Sequence, residues 1–242
     1  VGTVLLKKFG FAGIFGGTIL LYIIVLLSFL FFYQEVKVEK PAHTKGHIEP
    51  VAPNLLKDTY LLIPFLAFVF LHIGQWMYTL NMPLFVTEFL NADEANVGYL
   101  ASLCAGLEVP FMIILGILAS RFQTRTLLMI GAIFGGGYYL SIGLFDSVTA
   151  MLIGQIGLAF FLAILLGLGI SYFQDTLPDF PGYASTLFSN AMIAGQLLGN
   201  LLGGVMSDIV GLGNVFYVSS SFVLIAFILL IFTKPVKMED LA

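Results

Sequence analysis

Between Tyr60 and Thr233 the chain carries only two basic residues, Arg121 and Arg125, and its few acids gather mostly near the ends of long apolar runs. A stretch so poor in charge cannot cover itself against water, since ordinary soluble domains carry about a quarter charged residues. The full 242 residues agree, with 59% hydrophobic, 10% charged and a mean hydropathy of +1.02. The exterior must therefore face lipid. A net charge of −4 gives no footprint for nucleic acid. The single cysteine, Cys104, has no disulfide partner and no neighbour that would activate a thiolate, so it reads as packing. Lys7 and Lys8 precede an apolar run longer than a secretory signal core, with no small-residue cleavage site after it. Val1 stands where an initiator Met would, and the chain is expected to begin inside a longer product.

Crossing about 30 Å of hydrocarbon takes about 20 mostly apolar residues in a helix. Seven windows qualify: 11–33, 60–86, 97–119, 126–145, 149–174, 183–207 and 214–233. None shows the two-residue alternation of a barrel strand, and backbone in lipid must bond internally, so the fold class is all-α, a polytopic membrane helix bundle. Bases sit mainly in loops separated by even numbers of spans: Lys37, Lys40, Lys45 and Lys57, then Arg121 and Arg125, then Lys234 and Lys237. The positive-inside rule makes that side cytoplasmic. Glu88, Asp93, Glu94 and Asp208 fall in loops of the other side, while Lys7 and Lys8 and the acidic 175–182 loop run against the rule. Residues 34–59 hold three prolines and mixed charge with no apolar face, which describes a linker. His43 and His47 within it are four apart, but no Cys or third His joins them, and no metal site is expected.

Residues 2–15, GTVLLKKFGFAGIF, align with 203–216, GGVMSDIVGLGNVF, pairing Gly2 with Gly203, Val4 with Val205, Gly10 with Gly211 and Phe15 with Phe216. If the first span copies the last, it closes one repeat and the next six make another, with five spans expected upstream. Residues 116–126, GILASRFQTRT, resemble the loop signature G-x-x-x-D-R-x-G-x-R-R of the major facilitator superfamily at Gly116, Arg121 and Arg125. Ser120 replaces the acid, Gln123 the glycine and Thr126 the last base. The family uses that loop as a cytoplasmic latch, and loss of the acid puts a strong charge latch in doubt; the plain alternative is a positive-inside turn. AGLEVP at 105–110, YFQD at 172–175, PGYASTLFSN at 181–190 and QWMYTLNMPLF at 75–85 resemble the bacterial sugar efflux transporters of that superfamily. The resemblance implies residues 1–33 as the last helix of an N-terminal half, 34–59 as a cytoplasmic linker and 60–242 as a C-terminal six-helix half. It further implies a multi-pass protein of the inner (plasma) membrane that exports sugars or glycosides by proton antiport, its C-terminus cytoplasmic, its partners lipid, protons, a sugar-like substrate and the missing half.

Glu108 falls near the middle of the third span, where a charge costs at least about 2.5–3.5 kcal/mol and low dielectric disfavours the carboxylate. A carboxyl that gains and loses a proton there is able to couple proton flow to substrate movement; the alternative is a protonated or paired structural Glu. On the second span His72, Gln75, Trp76 and Thr79 share an arc of about 100°. That arc faces either a cavity, where Trp76 stacks on a sugar ring and Gln75 bonds its hydroxyls, or a neighbouring helix. Asn81 lies across the helix from it, and Pro83 is placed to bend the outer end. On the sixth span Ser185, Ser189, Gln196, Asn200 and Ser207 share an arc of about 60°, with Gln196 and Asn200 near mid-depth as substrate candidates. Beside them Gly195, Gly199 and Gly203 form a ridge for close helix approach. Gln155 is a weaker candidate, and Gln174 and Asp175 suit capping or gating.

The chain has no H-E-x-x-H, G-x-S-x-G or phosphate loop, and no cofactor is expected; GAIFGGG at 131–137 lacks strand and Lys and reads as helix packing. Besides sugar export, a multidrug exporter of the same superfamily would need a greasier cavity. An intramembrane enzyme would use Glu108 and His72 as its catalytic pair.

Overall fold

A lipid-facing helix needs no polar partner outside itself, so length and apolarity decide where these elements run. The computed structural model describes residues 2–32 and 53–233. Most of the expected linker, with His43 and His47, lies outside the described residues, as do Lys234 and Lys237. The chain divides into two units, Val1–Pro50 and Val51–Ala242.

The first unit contributes α1, Gly2–Phe32. It starts well before the expected window, and Lys7 and Lys8 lie inside it rather than ahead of it. Its apolar stretch, Phe15–Phe31, is shorter than the spans of the second unit. At 1.5 Å per residue that stretch covers about 25 Å. The proposed repeat does not hold at the level of local structure. Residues 2–15 are continuous helix, whereas 203–216 crosses a helix end, a turn and a new helix start. Gly10 therefore sits in a helix interior, while its counterpart Gly211 takes φ +84° to end one.

The second unit is α2 (Thr59–Leu84), α3 (Ala95–Ala119), α4 (Thr124–Leu144), α5 (Val148–Thr176), α6 (Pro181–Val210) and α7 (Val215–Phe232). All six are long and apolar enough to cross a membrane. Pro83 brings no N–H to the last turn of α2, and the helix continues as a wider π-turn over Phe85–Phe89. Asn91, at φ +48°, then turns the chain toward α3. Pro181 opens α6 at the position where a missing N–H costs least.

Water-driven collapse does not hold helices together in lipid; close packing and interhelical hydrogen bonds do. Glycines and aromatics supply the packing. An added Cβ on Gly74 would lie 2.8 Å from the Ser219 carbonyl oxygen, so α2 and α7 touch backbone to backbone. One on Gly131 would meet Ile164 at 3.1 Å and one on Gly135 would meet Phe161 at 2.6 Å, which makes these two glycines of α4 its seam with α5. Phe68 packs on Tyr172, Phe173 and Phe188, with centroids 5.8, 5.1 and 5.9 Å away, tying α2, α5 and α6 in one half of the bundle. Phe216 of α7 closes the other half, 5.0 Å from Phe85 and 6.2 Å from Tyr78.

The two ends of this bundle differ in charge. Lys57, Arg121 and Arg125, the bases among residues 53–233, all sit at the end where α2, α4 and α6 begin. The opposite end carries Glu88, Asp93, Glu94, Asp146 and Asp208, with an open crevice of about 470 Å³ beside Glu88, Asp146 and Asn214.

Candidate functional site

The geometry of the site is set by the glycine ridge of α6. A Cβ on Gly195 would lie 2.8 Å from the Val69 carbonyl oxygen, one on Gly199 2.8 Å from that of Ile73, and one on Gly203 3.3 Å from the Met77 Cα. The two helices thus run parallel and in step, backbone against backbone. Residues beside the ridge on α6 consequently share a depth with Gln75, Trp76 and Thr79 on α2. The Trp76 Cβ itself lies at the Gly199 contact.

Not all of the expected arc faces the same way. Thr79 and Asn200 are exposed, and Gln75, Trp76 and Gln196 are partly buried. The Gln75 amide donates to the Thr79 hydroxyl at 3.3 Å, and that hydroxyl donates to the Gln75 carbonyl at 3.0 Å, so the two form one polar patch. His72 is different: it is 1% exposed and sealed in the seam against Gly195, with its ring edge-on to Phe188. Its Nδ1 lies 2.8 Å from the Phe68 carbonyl oxygen and so carries the proton, leaving Nε2 as a buried acceptor without a protein partner. The wheel angle alone did not separate His72 from its neighbours; the backbone contact of α6 does. Asn81 also turns to the seam, donating to the Met77 carbonyl at 2.9 Å and across to the Gly203 carbonyl at 3.2 Å.

Glu108 lies on α3, partly buried, followed by Val109 at 62% exposure. Cys104 stands one turn away on the same face and is buried, as a packing residue should be. Across the apolar windows of α3 and α6 only 17% is buried, against 56% for α2. These two helices, which carry Glu108, Gln196 and Asn200, present the barest faces of the unit.

The signature loop is split between two settings. Gly116 is in the last turns of α3 with open space where a Cβ would stand, and Arg121 is exposed. Arg125 reaches from the first turn of α4 to the end of α7, its Nε donating to the Leu230 carbonyl at 2.9 Å and a terminal nitrogen to that of Ile231 at 2.6 Å. It caps the last carbonyls of a helix terminus, sharing that of Leu230 with the Thr233 backbone N–H and hydroxyl, where a cation is also favoured by the dipole. Gln174 donates to Ser185 at 3.2 Å and ties α5 to α6, a structural role.

One constellation was not assembled from the sequence. Deep in the bundle Gln155 of α5 donates to the Tyr138 hydroxyl of α4 at 2.7 Å and to the Tyr78 hydroxyl of α2 at 3.4 Å, and the two hydroxyls are 3.1 Å apart. Gln155 was visible as a lone polar residue, but nothing in the sequence paired it with tyrosines on other helices.

Six apolar helices packed through glycine seams, with a polar patch on α2 next to the α6 ridge, define a polytopic membrane protein with polar groups in its membrane-spanning zone. The sequence profile described as Major Facilitator Superfamily matches residues 64–241, and the chain belongs to that family, one of membrane transporters rather than enzymes. It is similar to Sugar efflux transporter C of Escherichia coli K12, 33% identical over 74% of this chain and 45% of that protein. It is also similar to Sugar efflux transporter A of Dickeya chrysanthemi (35% identical, over 63% of this chain and 38% of that one). Sugar efflux transporter B of Salmonella typhimurium is 30% identical over 86% of this chain and 52% of its own length. The chain spans about half the length of the curated relatives it matches.

Proposed function

We propose that the chain supplies the C-terminal six-helix half of a secondary exporter of sugars or glycosides, joined by the 34–59 linker to α1 and an N-terminal half. The observation that carries this is the in-step α2–α6 seam, which puts Gln75, Trp76 and Thr79 at one depth with Gln196 and Asn200. Amide and hydroxyl groups beside an indole suit a polyol: the ring stacks on the sugar face and the polar groups exchange hydrogen bonds with its hydroxyls. The relatives named as sugar efflux transporters support the same substrate class. His72 serves the site by packing rather than contact.

Export against a gradient needs a coupling ion, and Glu108 is assigned that proton. Its carboxyl stands at mid-membrane on one of the two barest helices, placed to load a proton from one side and release it to the other as the halves rock. The basic end of the bundle is assigned to the cytoplasm of the inner membrane, which also puts the linker and C-terminus there. The test uses the full-length gene product in proteoliposomes with an imposed pH gradient and radiolabelled glucose and lactose. Gradient-dependent sugar flux without chemical change is expected. Absence of flux for both sugars, or flux indifferent to the gradient, rejects the substrate class or the coupling respectively.

A further inference from the structure

The Gln155 cluster is not balanced as it stands. Gln155, Tyr139 and the neighbouring Tyr138 and Tyr78 are all buried, at 0%, 0%, 4% and 5% exposure. The amide nitrogen of Gln155 has two protons and gives one to each of Tyr138 and Tyr78, and one hydroxyl proton joins that pair. Left over are the second hydroxyl proton of the Tyr138–Tyr78 pair and, with no protein partner at all, the buried Gln155 Oε1 and Tyr139 hydroxyl. Turning the amide end for end does not help. It would place the oxygen on the two hydroxyls and leave the NH₂ without an acceptor, with Tyr139 still unpaired. A buried hydroxyl with no partner is costly, and phenylalanine in the same place would avoid that cost.

The surplus groups are complementary. Tyr139 offers a donor and Gln155 Oε1 an acceptor. The Tyr139 ring stacks on Tyr78, 5.2 Å away at 28°, so it already lies against a ring whose hydroxyl takes Gln155. Tyr138 and Tyr139 are adjacent on α4, about 100° apart around its axis. Both rings pack on Tyr78, Tyr138 at 5.5 Å and Tyr139 at 5.2 Å, so a local repacking of these side chains where α2, α4 and α5 meet would exchange one hydroxyl for the other at the same amide without turning the helix.

We propose that Tyr139 is a positioning residue whose hydroxyl becomes the partner of Gln155 in a second packing of these side chains, visited during transport. The cluster is then a two-position clasp at the meeting point of α2, α4 and α5. This rests on the transport reading above, because a chain that never changes conformation has no use for the spare hydroxyl.

The substitution Tyr139→Phe tests it in the full-length transporter, with Tyr138→Phe for contrast. Tyr139→Phe should melt at or above the wild-type temperature, since it removes an unpaired group, while Tyr138→Phe should melt lower. Despite that, Tyr139→Phe should transport radiolabelled sugar several-fold more slowly. A second readout needs no substrate. Cys104 of α3 is 8% exposed and belongs to the same buried core as the three tyrosines. Its labelling by N-ethylmaleimide reports how often the cluster opens, and in Tyr139→Phe it should slow several-fold. A wild-type labelling rate, wild-type transport, or a lowered melting temperature in Tyr139→Phe each overturns the proposal. A wild-type protein that moves no sugar rejects the transport reading instead, and the labelling comparison still decides the clasp.

Discussion

Two side chains in this protein, Glu108 with its proposed proton role and Arg125 with its hold on α7, can be tested by substitution apart from folding. Glu108→Gln keeps size and polarity but cannot ionise. The variant should reach the membrane at wild-type level and lose pH-gradient-driven export, measured as flux with and without the gradient; full export would reject Glu108 as the proton carrier. Arg125 has a structural duty, holding the Leu230 and Ile231 carbonyls. Arg125→Ala should cost about 1–3 kcal/mol, as for hydrogen bonds from a charged donor, read as a lower melting temperature in detergent. Arg125→Lys should recover only part, because an ammonium lacks the planar fork that meets two carbonyls at once. Arg121→Ala, by contrast, should leave the melting temperature unchanged, since its side chain is exposed. Residue identity was legible from the sequence at these points: an acid amid apolar residues and bases in a short loop stand out. Their partners were not. The alternatives for the loop, latch or plain turn, missed that Arg125 caps a helix more than a hundred residues away, because spacing along the chain says nothing about which terminus lies opposite.

At the level of elements, the α2–α6 seam is the strongest constraint in the unit. Gly199→Ala places a methyl 2.8 Å from the Ile73 carbonyl oxygen and the Trp76 Cβ, so the helices must part. A loss of about 1–3 kcal/mol is expected from such overpacking, seen again in thermal unfolding. Gly204→Ala is the internal control, with nothing within 4 Å of the added methyl, and should be neutral or mildly stabilising as alanine favours helix. Equal effects would mean that the ridge is not the contact. Periodicity made the seam legible, since three glycines four apart announce a flat helix face. The spans were legible for the same kind of reason: each is an apolar run with polar ends. What the sequence blurred was local backbone. Pro83 stands out in the sequence as a place for α2 to bend, but the letters do not show that the helix beyond it widens into a π-turn. Gly10 and Gly211 looked alike as letters, yet only one of them ends a helix. The four-residue polar arc of α2 was right in angle but could not show that α6 would cover His72 and spare Thr79.

For the whole molecule, charge polarity and bareness are the informative features. Lys57, Arg121 and Arg125, the lysines and arginines among residues 53–233, stand at one end, which the positive-inside rule assigns to the cytoplasm. A fluorescent reporter inserted in the α3–α4 loop should fold and glow. Alkaline phosphatase inserted at residues 91–94 should be active, because it requires the outer compartment. The reverse pattern would invert the topology. The weakly buried faces of α3 and α6, which carry Glu108, Gln196 and Asn200, are where a second six-helix half is expected to close the transport path.

The hold of Arg125 on α7 also has a consequence in time. Its acceptors lie 105 and 106 residues further along the chain. At typical rates of synthesis those residues emerge roughly 5–20 s after the arginine does. Throughout that interval α4 has entered the membrane with its guanidinium still seeking an acceptor, and the ribosome must finish the last helix before the first turn of α4 can be locked. Assembly of this unit is therefore completed from its far end. A chain stalled before Ile231 should carry all the earlier spans yet remain open to protease at the loop containing Arg121.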